Sequence, residues 1–523
     1  MKKKTTFIAL GLMVSNLTFA GGILTNTNQN IAFNRNFARN ATFEIDGAYS
    51  NPAGLAWLGN GFHISANIQS AFQNRIINTT YAPFAANTQY PADENGHKRY
   101  KGEAAAPVIP SLQAAYQRGP WTISMNFAVT GGGGKATFNE GLPMFESQVA
   151  YAAAATGQAV DGVNTLAGLL GPAGSALMMD KKAGYSLDTY MRGRQYVYGL
   201  QVGLTYKIFE NRGKARQGLA VYAGARMNYV SNRYEGYMRN MSVVGADGMT
   251  TPLSQYMGEV SEGAKTAAQT ALAVAHTPML PEATKGQLNG VAAQLNAASE
   301  ALEAGANRLN RDIELDCSQS GWGLTPIIGV DYRVGNLNLG ARYEFRTNLN
   351  IENESRVNTT GVAAYNHGVN TPNDLPAILS VGAQYEILPT WRMMAGMTYY
   401  FDKDAGMAGG KQKALAHNTR EFMVGTEWDV LSRLTLSGGY MNTNYGATNN
   451  FQSDLSFSCD SYSLGFGVKV KITPKFDVNV AYFWTNYKDF TKEQPSYQDT
   501  GIPGTDVYSR TNKVFGLGVN FRI

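Results

Sequence analysis

The chain is 523 residues long, and 44 Lys and Arg against 39 Asp and Glu leave a net charge of only +5, too small a surplus to argue for nucleic acid. Its two cysteines form no CxxC and its five histidines no HExxH, so neither a metal centre nor a cofactor site of that kind is expected. There is no run of 18 apolar residues and hence no expected transmembrane helix.

Residues 1–20 read as a secretory signal. Lys2, Lys3 and Lys4 supply a positive start, FIALGLMV a short apolar core, and Thr18-Phe19-Ala20 small residues for cleavage after Ala20. Losing those three lysines lowers the net charge from +5 to +2. Residues 21–60 follow, polar, with arginines and asparagines but no strand alternation, and would sit inside or beneath whatever the rest builds.

From residue 61 the period becomes two. Phe62, Ile64, Ala66, Ile68 and Phe72 fall on one face, with His63, Ser65, Asn67 and Gln69 on the other. Fourteen such strands are expected, near 61–73, 107–117, 121–130, 195–206, 217–230, 321–333, 337–347, 376–387, 390–401, 419–430, 433–442, 460–472, 476–487 and 511–523. The second is the poorest pattern, because Pro107 and Pro110 interrupt it. Connections alternate long and short throughout. That alternation, with 57 glycines and 29 tyrosines, fits an all-β, transmembrane antiparallel barrel of about fourteen strands. Such a chain would be a multi-pass protein of the outer membrane, touching lipid and lipopolysaccharide, and a monomer.

Two outer loops carry helical patterns, about 140–185 and 258–310. In the second, Leu288, Val291, Leu295, Ala298, Leu302, Ala306 and Leu309 recur at spacings of three and four. Their apolar faces either pack on one another or leave a groove for an apolar substrate. Cys317 and Cys459, near the starts of two strands on the same side of the membrane, allow one disulfide.

Three stretches resemble the FadL family of outer-membrane transporters of long-chain fatty acids and other hydrophobic molecules. They are Asn34-Arg35-Asn36-Phe37-Ala38-Arg39, then Tyr49-Ser50-Asn51-Pro52-Ala53-Gly54-Leu55, and the strand ending AVTGGGGKATFNE. The first departs from the family in having Asn34 and Asn40 where glycine is often found. The resemblance implies that residues 21–60 form a hatch in the lumen of a barrel spanning 61–523, with Asn51, Pro52, Ala53 and Gly54 as the turn into the wall. It also implies capture at an outer apolar groove, passage past the hatch, and sideways exit through a gap near strand three. Gly131, Gly132, Gly133 and Gly134 would form that gate, although loop flexibility explains four glycines equally well.

Strand parity points Arg226, Arg342 and Arg392 inward, with Glu344, Glu421 and Glu427. Such charges ordinarily pair, and an arginine left over could hold a carboxylate head group. Tyr222, Met394, Tyr400, Met423 and Phe483 also face inward, as an apolar track or as packing for the hatch. An enzyme is not expected, since the only histidine on an expected strand, His63, points inward. A general diffusion porin or a plugged adhesin remains the alternative to a transporter.

Overall fold

A computed structural model describes residues 30–211, 216–278 and 280–523. The expected leader and the first residues of the hatch lie outside these. Fourteen antiparallel strands close one barrel. The first five are β1 (Gly61–Thr80), β2 (His97–Arg118), β3 (Trp121–Phe138), β4 (Gly184–Asn211) and β5 (Gln217–Val244). Next come β6 (Ile313–Val334), β7 (Leu337–Glu344, resumed as Asn350–Asn358) and β8 (Ile378–Leu388, preceded by Asn370–Pro372). Then follow β9 (Trp391–Tyr400), β10 (Arg420–Leu431), β11 (Leu434–Asn444) and β12 (Ser461–Thr473). The last two are β13 (Phe476–Tyr487, resumed as Phe490–Gln494) and β14 (Gly504–Arg522). β1 closes on β14, from His63 opposite Arg522 to Thr80 opposite Thr505.

The alternation has its expected cause. Phe62 and Ile68 are 49% and 50% exposed on the outer wall, while His63, Ser65, Asn67 and Gln69 are buried in the lumen. The expected strands differ from the observed ones chiefly at their outer ends. β4 and β5 are 28 residues each, whereas about 9–11 cross a bilayer. Above the membrane both faces meet polar groups or the cap, so the apolar period fades while the ladder continues. The glycines 131–134, expected in a loop, therefore lie within β3, and much of the expected loop 74–106 belongs to β1 and β2.

A helical cap covers the outer mouth: α3 (Pro143–Leu169) from one loop, α4 (Leu253–Ala275) and α5 (Glu282–Arg308) from the other, where α1 and α2 are the hatch segments Ile31–Arg35 and Gly47–Ser50. The apolar faces are spent on one another. Val163 and Leu166 of α3 pack with Ala264, Ala267, Ala268 and Ala271 of α4 and with Leu288, Ala292 and Leu295 of α5. The N-terminus of α3 is capped from another loop by Asp454, which accepts from the Met144 amide at 2.8 Å. Glu146, buried in its first turn, accepts from Lys98, Tyr100, Tyr185 and Asn87 at 2.6–2.9 Å.

The hatch fills the lumen, and the inward-facing glycines make room for it. A Cβ on Gly425 would lie 1.8 Å from the Asn36 side chain, one on Gly465 2.4 Å from the Asn34 carbonyl, and one on Gly340 2.3 Å from the Asn40 carbonyl. These inward-facing glycines mould the wall to the hatch.

Candidate functional site: a tethered hatch and a break in the wall

The arginines of the NRNFAR stretch fasten the hatch. Arg35 and Arg39 reach Glu427 of β10 at 2.6 and 3.1 Å, Arg39 also meets Asp46 at 2.7 Å, and Lys469 of β12 meets Glu44 at 2.5 Å. Both arginines are fully buried, so their pairing with carboxylates is obligatory.

Asn51-Pro52-Ala53-Gly54 is the second fastening. The Asn51 amide donates to Asp331 of β6 at 2.6 Å and to the Thr42 carbonyl at 3.0 Å, and Trp57 and Asn338 donate to the same carboxylate at 2.6 and 2.9 Å. Pro52 begins a 3-10 turn, Pro52–Trp57, and its carbonyl accepts from Thr205 at 2.7 Å. A Cβ on Gly54 would lie 2.3 Å from the Thr42 carbonyl, so the turn closes only over glycine. Ala53 packs on Tyr222 and Ile327.

Between β2 and β3 the wall is broken. β2 and β3 pair from Arg118 opposite Trp121 up to Leu112 opposite Phe127, then not again until Ala104 opposite Ala136. Pro107 and Pro110, which lack an N–H, lie in the unpaired part of β2. Facing them in β3, the ladder to β4 shifts register on either side of Gly131, and Gly132 (φ +105°) and Gly134 (φ +72°) have left-handed backbones. The opening is a cavity of about 90 Å³ bordered by Ala71, Ala104, Ala106, Ala128, Ile109 and Gly132. Hydrocarbon supplies no partners for freed backbone groups, so such a break persists in a wall only where it borders a cavity.

No protein-family model matches the chain, and no curated protein matches it. Among solved structures, a Pseudomonas aeruginosa FadL homologue aligns over 96% of this chain and 99% of its own, at 11% identity and a TM-score of 0.55. The fold is that of a FadL-type barrel. The P. putida toluene transporter TodX aligns over 92% of this chain and 94% of its own, at 14% identity and a TM-score of 0.49.

Inside this FadL-type barrel the inward-facing residues divide into two groups. Met394, Met423 and Phe483 come together with Phe33, Phe37 and Ala38 of the hatch, and with Ala71 and Val514 beside the break. Phe37 meets Phe33 and Phe483 edge-on, at centroid distances of 5.3 and 5.5 Å. Apolar packing therefore runs from the hatch to the inner rim of the opening. Tyr222 and Tyr400 stand outside it, the first against Ala53 and the second donating to Glu421 at 2.8 Å.

The three arginines pair, the ordinary outcome for such charges. Arg226 pairs with Glu344, as does Arg342 at 3.1 Å, while Arg342 also donates to the Tyr49 carbonyl. Arg392 meets Glu427 and Asp429 at 2.8 and 3.0 Å. All three have their charge met by carboxylates already. The possible bridge between Cys317 and Cys459 is not formed: both are buried free thiols, directed at the carbonyls of Ser318 and Tyr508 respectively. The sequence reading missed two other arginines, Arg75 and Arg510, since they lie just beyond the expected strands 61–73 and 511–523.

Proposed function

We propose that the chain is a FadL-family transporter of the outer membrane. It takes hydrophobic molecules, most readily long-chain fatty acids, from the outer side, passes them beside the hatch, and releases them sideways through the opening between β2 and β3. The observation that carries this reading is the stretch between Ala104 and Leu112 that has no partner in β3, bordered by alanines together with Gln69, Ser111 and Asn512 and joined inward to the Phe33–Phe37–Phe483 packing. A water-filled pore would disfavour an apolar molecule, whereas an apolar path that ends in the bilayer keeps it out of water throughout. Because the cap helices bury their apolar faces in each other, capture occurs beneath the cap rather than in a groove between its helices. Gly131 to Gly134 serve the gate through the bulges they permit in β3.

The test fills the opening. Ala128 borders the cavity and is 1% exposed, so Ala128→Trp places an indole in the path. Uptake of a labelled long-chain fatty acid should fall sharply, with the amount of heat-modifiable barrel unchanged. Uptake at the parent rate would remove the lateral route, and a parent barrel that takes up no apolar compound would favour an adhesin. Valine at Gly132 is the poorer probe, because its Cβ would lie 2.3 Å from the Gln195 carbonyl and strain the neighbouring ladder.

A further inference from the structure

Three basic residues form a row on the outside of the wall. Lys135 of β3 lies directly opposite Arg194 of β4, and Arg194 directly opposite Arg233 of β5. Residues opposite each other in a ladder leave the same face of the sheet, and Lys135 and Arg194 are exposed on the outer one. Arg233 meets Glu235 and Asp316 at 2.6 and 3.3 Å, but among the described residues Lys135 and Arg194 form no ion pair. The acids one outward position higher are taken: Glu235 also serves Arg192, and Glu103, opposite Thr137, holds Lys101 at 2.5 Å. Like charges directly opposite destabilise a sheet, so the Lys135–Arg194 pair carries a cost that no carboxylate of the described residues offsets.

The row stands at the edge of the hydrocarbon zone. On β4 the outward residues from Tyr206 to Tyr196 are Tyr, Leu or Val, and those opposite on β5, from Val221 to Ser231, carry no charge. That length is one bilayer crossing, about 9–11 tilted residues. Aromatic rings mark both ends. Trp121 lies against Tyr206 at the inner end, 4.4 Å between centroids, and Tyr198, Tyr229 and Trp322 lie opposite one another on consecutive strands near the outer end. Arg194 and Arg233 are the first outward residues beyond. The row also ends at the break: Lys135, Tyr196 and Val129 border the opening from outside, while Gln69, Ala71 and Val514 border it from the lumen.

We propose that Lys135, Arg194 and Arg233 hold a phosphate of the outer leaflet's lipopolysaccharide, seating one lipid over the opening between β2 and β3. Guanidinium and ammonium donors match phosphate oxygens, and an anion between opposed cations cancels their repulsion, which is weakly screened beside hydrocarbon. A free anion has no reason to prefer this height. A lipid brings its phosphate to that level and its acyl chains downward, past Tyr196 and Val129. The chains then cover the outward rim of the gap with hydrocarbon and keep headgroup water from its unpaired backbone groups. The partner is a component of the membrane, so the site does not depend on which molecule crosses the wall.

The experiment uses the purified full-length barrel, native mass spectrometry and two probes: lipid A with its phosphates and lipid A with them removed. The parent should retain the phosphorylated form over the other, and Lys135→Gln with Arg194→Gln should cut that preference about tenfold or more. Both positions are exposed, so melting should not fall. Arg356→Gln removes an outward arginine outside the row, paired with Asp316 at 3.1 Å, and should leave the preference intact. A photoactivatable acyl chain on the phosphorylated lipid should label 105–111 or 127–135 in the parent and not in the double variant. Equal retention of the two forms by the parent, an equal loss in Arg356→Gln, or labelling unaffected by the double substitution would overturn the proposal. So would displacement of the lipid by inorganic phosphate, which would leave a free-anion site only. Uptake plays no part in these readouts, so their failure leaves the transport reading standing.

Discussion

Between β9 and β12 the wall is a continuous ladder, its one register shift lying next to the turn between β10 and β11, whereas between β1 and β4 every ladder is interrupted. The two arcs also hold the hatch differently. The continuous arc grips it with charge, through Glu427 and Lys469 against Arg35, Arg39 and Glu44. Along the broken arc the hatch is held by neutral hydrogen bonds, Asn30 donating to Ser65 and Gln113, the Ile31 amide to Asn67, and Gln117 and Thr205 to the Ala56 and Pro52 carbonyls, while Ala71 and Val514 pack against its phenylalanines. Charge-assisted hydrogen bonds are roughly twice as strong as neutral ones. The two arcs therefore differ in the kind of grip, charged on one side and neutral on the other.

The largest expected effect comes from cutting the charged side. Glu427→Gln removes the shared acidic partner of Arg35, Arg39 and Arg392. Arg39 keeps Asp46 and Arg392 keeps Asp429, so the loss falls on the buried Arg35, whose next carboxylate is Glu44 at 3.8 Å. Breaking such a buried pair costs about 3–5 kcal/mol. The variant should lose its heat-resistant folded form at a lower temperature and show ion conductance in planar bilayers that the parent lacks. Unchanged melting together with a closed bilayer record would mean that the hatch is held elsewhere.

A smaller effect is expected at the second fastening. Asn51→Ala takes one of three donors from the Asp331 carboxylate and one from the Thr42 carbonyl, a loss of about 1–3 kcal/mol. Melting should drop by less than in Glu427→Gln, and conductance should stay near the parent level because the charged arc still grips. A conductance as high as that of Glu427→Gln would mean that the Asp331 fastening on β6 holds the hatch as firmly as the charged arc does.

How far the sequence foretold these two arcs depended on the surroundings of each residue. Where one strand face meets lipid and the other the lumen, residues such as Phe62 to Gln69 alternate cleanly, and all fourteen strands could be placed. Arg75 and Arg510 were passed over because their stretches of β1 and β14 rise above that zone, where the apolar period ends but hydrogen bonding does not. The break was half legible. Pro107 and Pro110 weakened the pattern of β2, which reads as a poor strand until β3 is seen to lack a partner there. That Arg226, Arg342 and Arg392 pair was expected from their inward parity, but that Arg226 of β5 shares Glu344 of β7 with Arg342 was not readable, since it depends on the register of two strands that do not pair directly.

Next in size is repair of the broken arc. Pro107→Thr with Pro110→Thr returns two backbone N–H donors to β2, and each hydrogen bond that forms contributes about 0.5–1.5 kcal/mol. Hydrogen exchange over 105–111 should slow, melting should rise slightly, and fatty-acid uptake should decline without reaching the level of Ala128→Trp. Faster exchange in that stretch would show that the prolines hold the segment in place rather than keep it open.

The smallest effect is expected from the cysteines, which touch neither arc's function. Cys317 is fully buried, and Cys459 is 1% exposed, each an unbridged thiol against a backbone carbonyl. Burial pushes the Cys459 thiol up to about 11, so it stays protonated and unreactive at neutral pH. Reduced and unreduced protein should therefore run alike on denaturing gels, and both thiols should react with maleimide only after heating in detergent. Replacing both by alanine removes a little buried volume under the cap and no cross-link. Melting should fall by about 1–2 kcal/mol worth at most, as for other small core truncations, with conductance and uptake unchanged. A mobility shift on reduction would instead tie β6 to the loop before β12, clamp the cap across the mouth, and move the control of entry from the hatch to the outer loops.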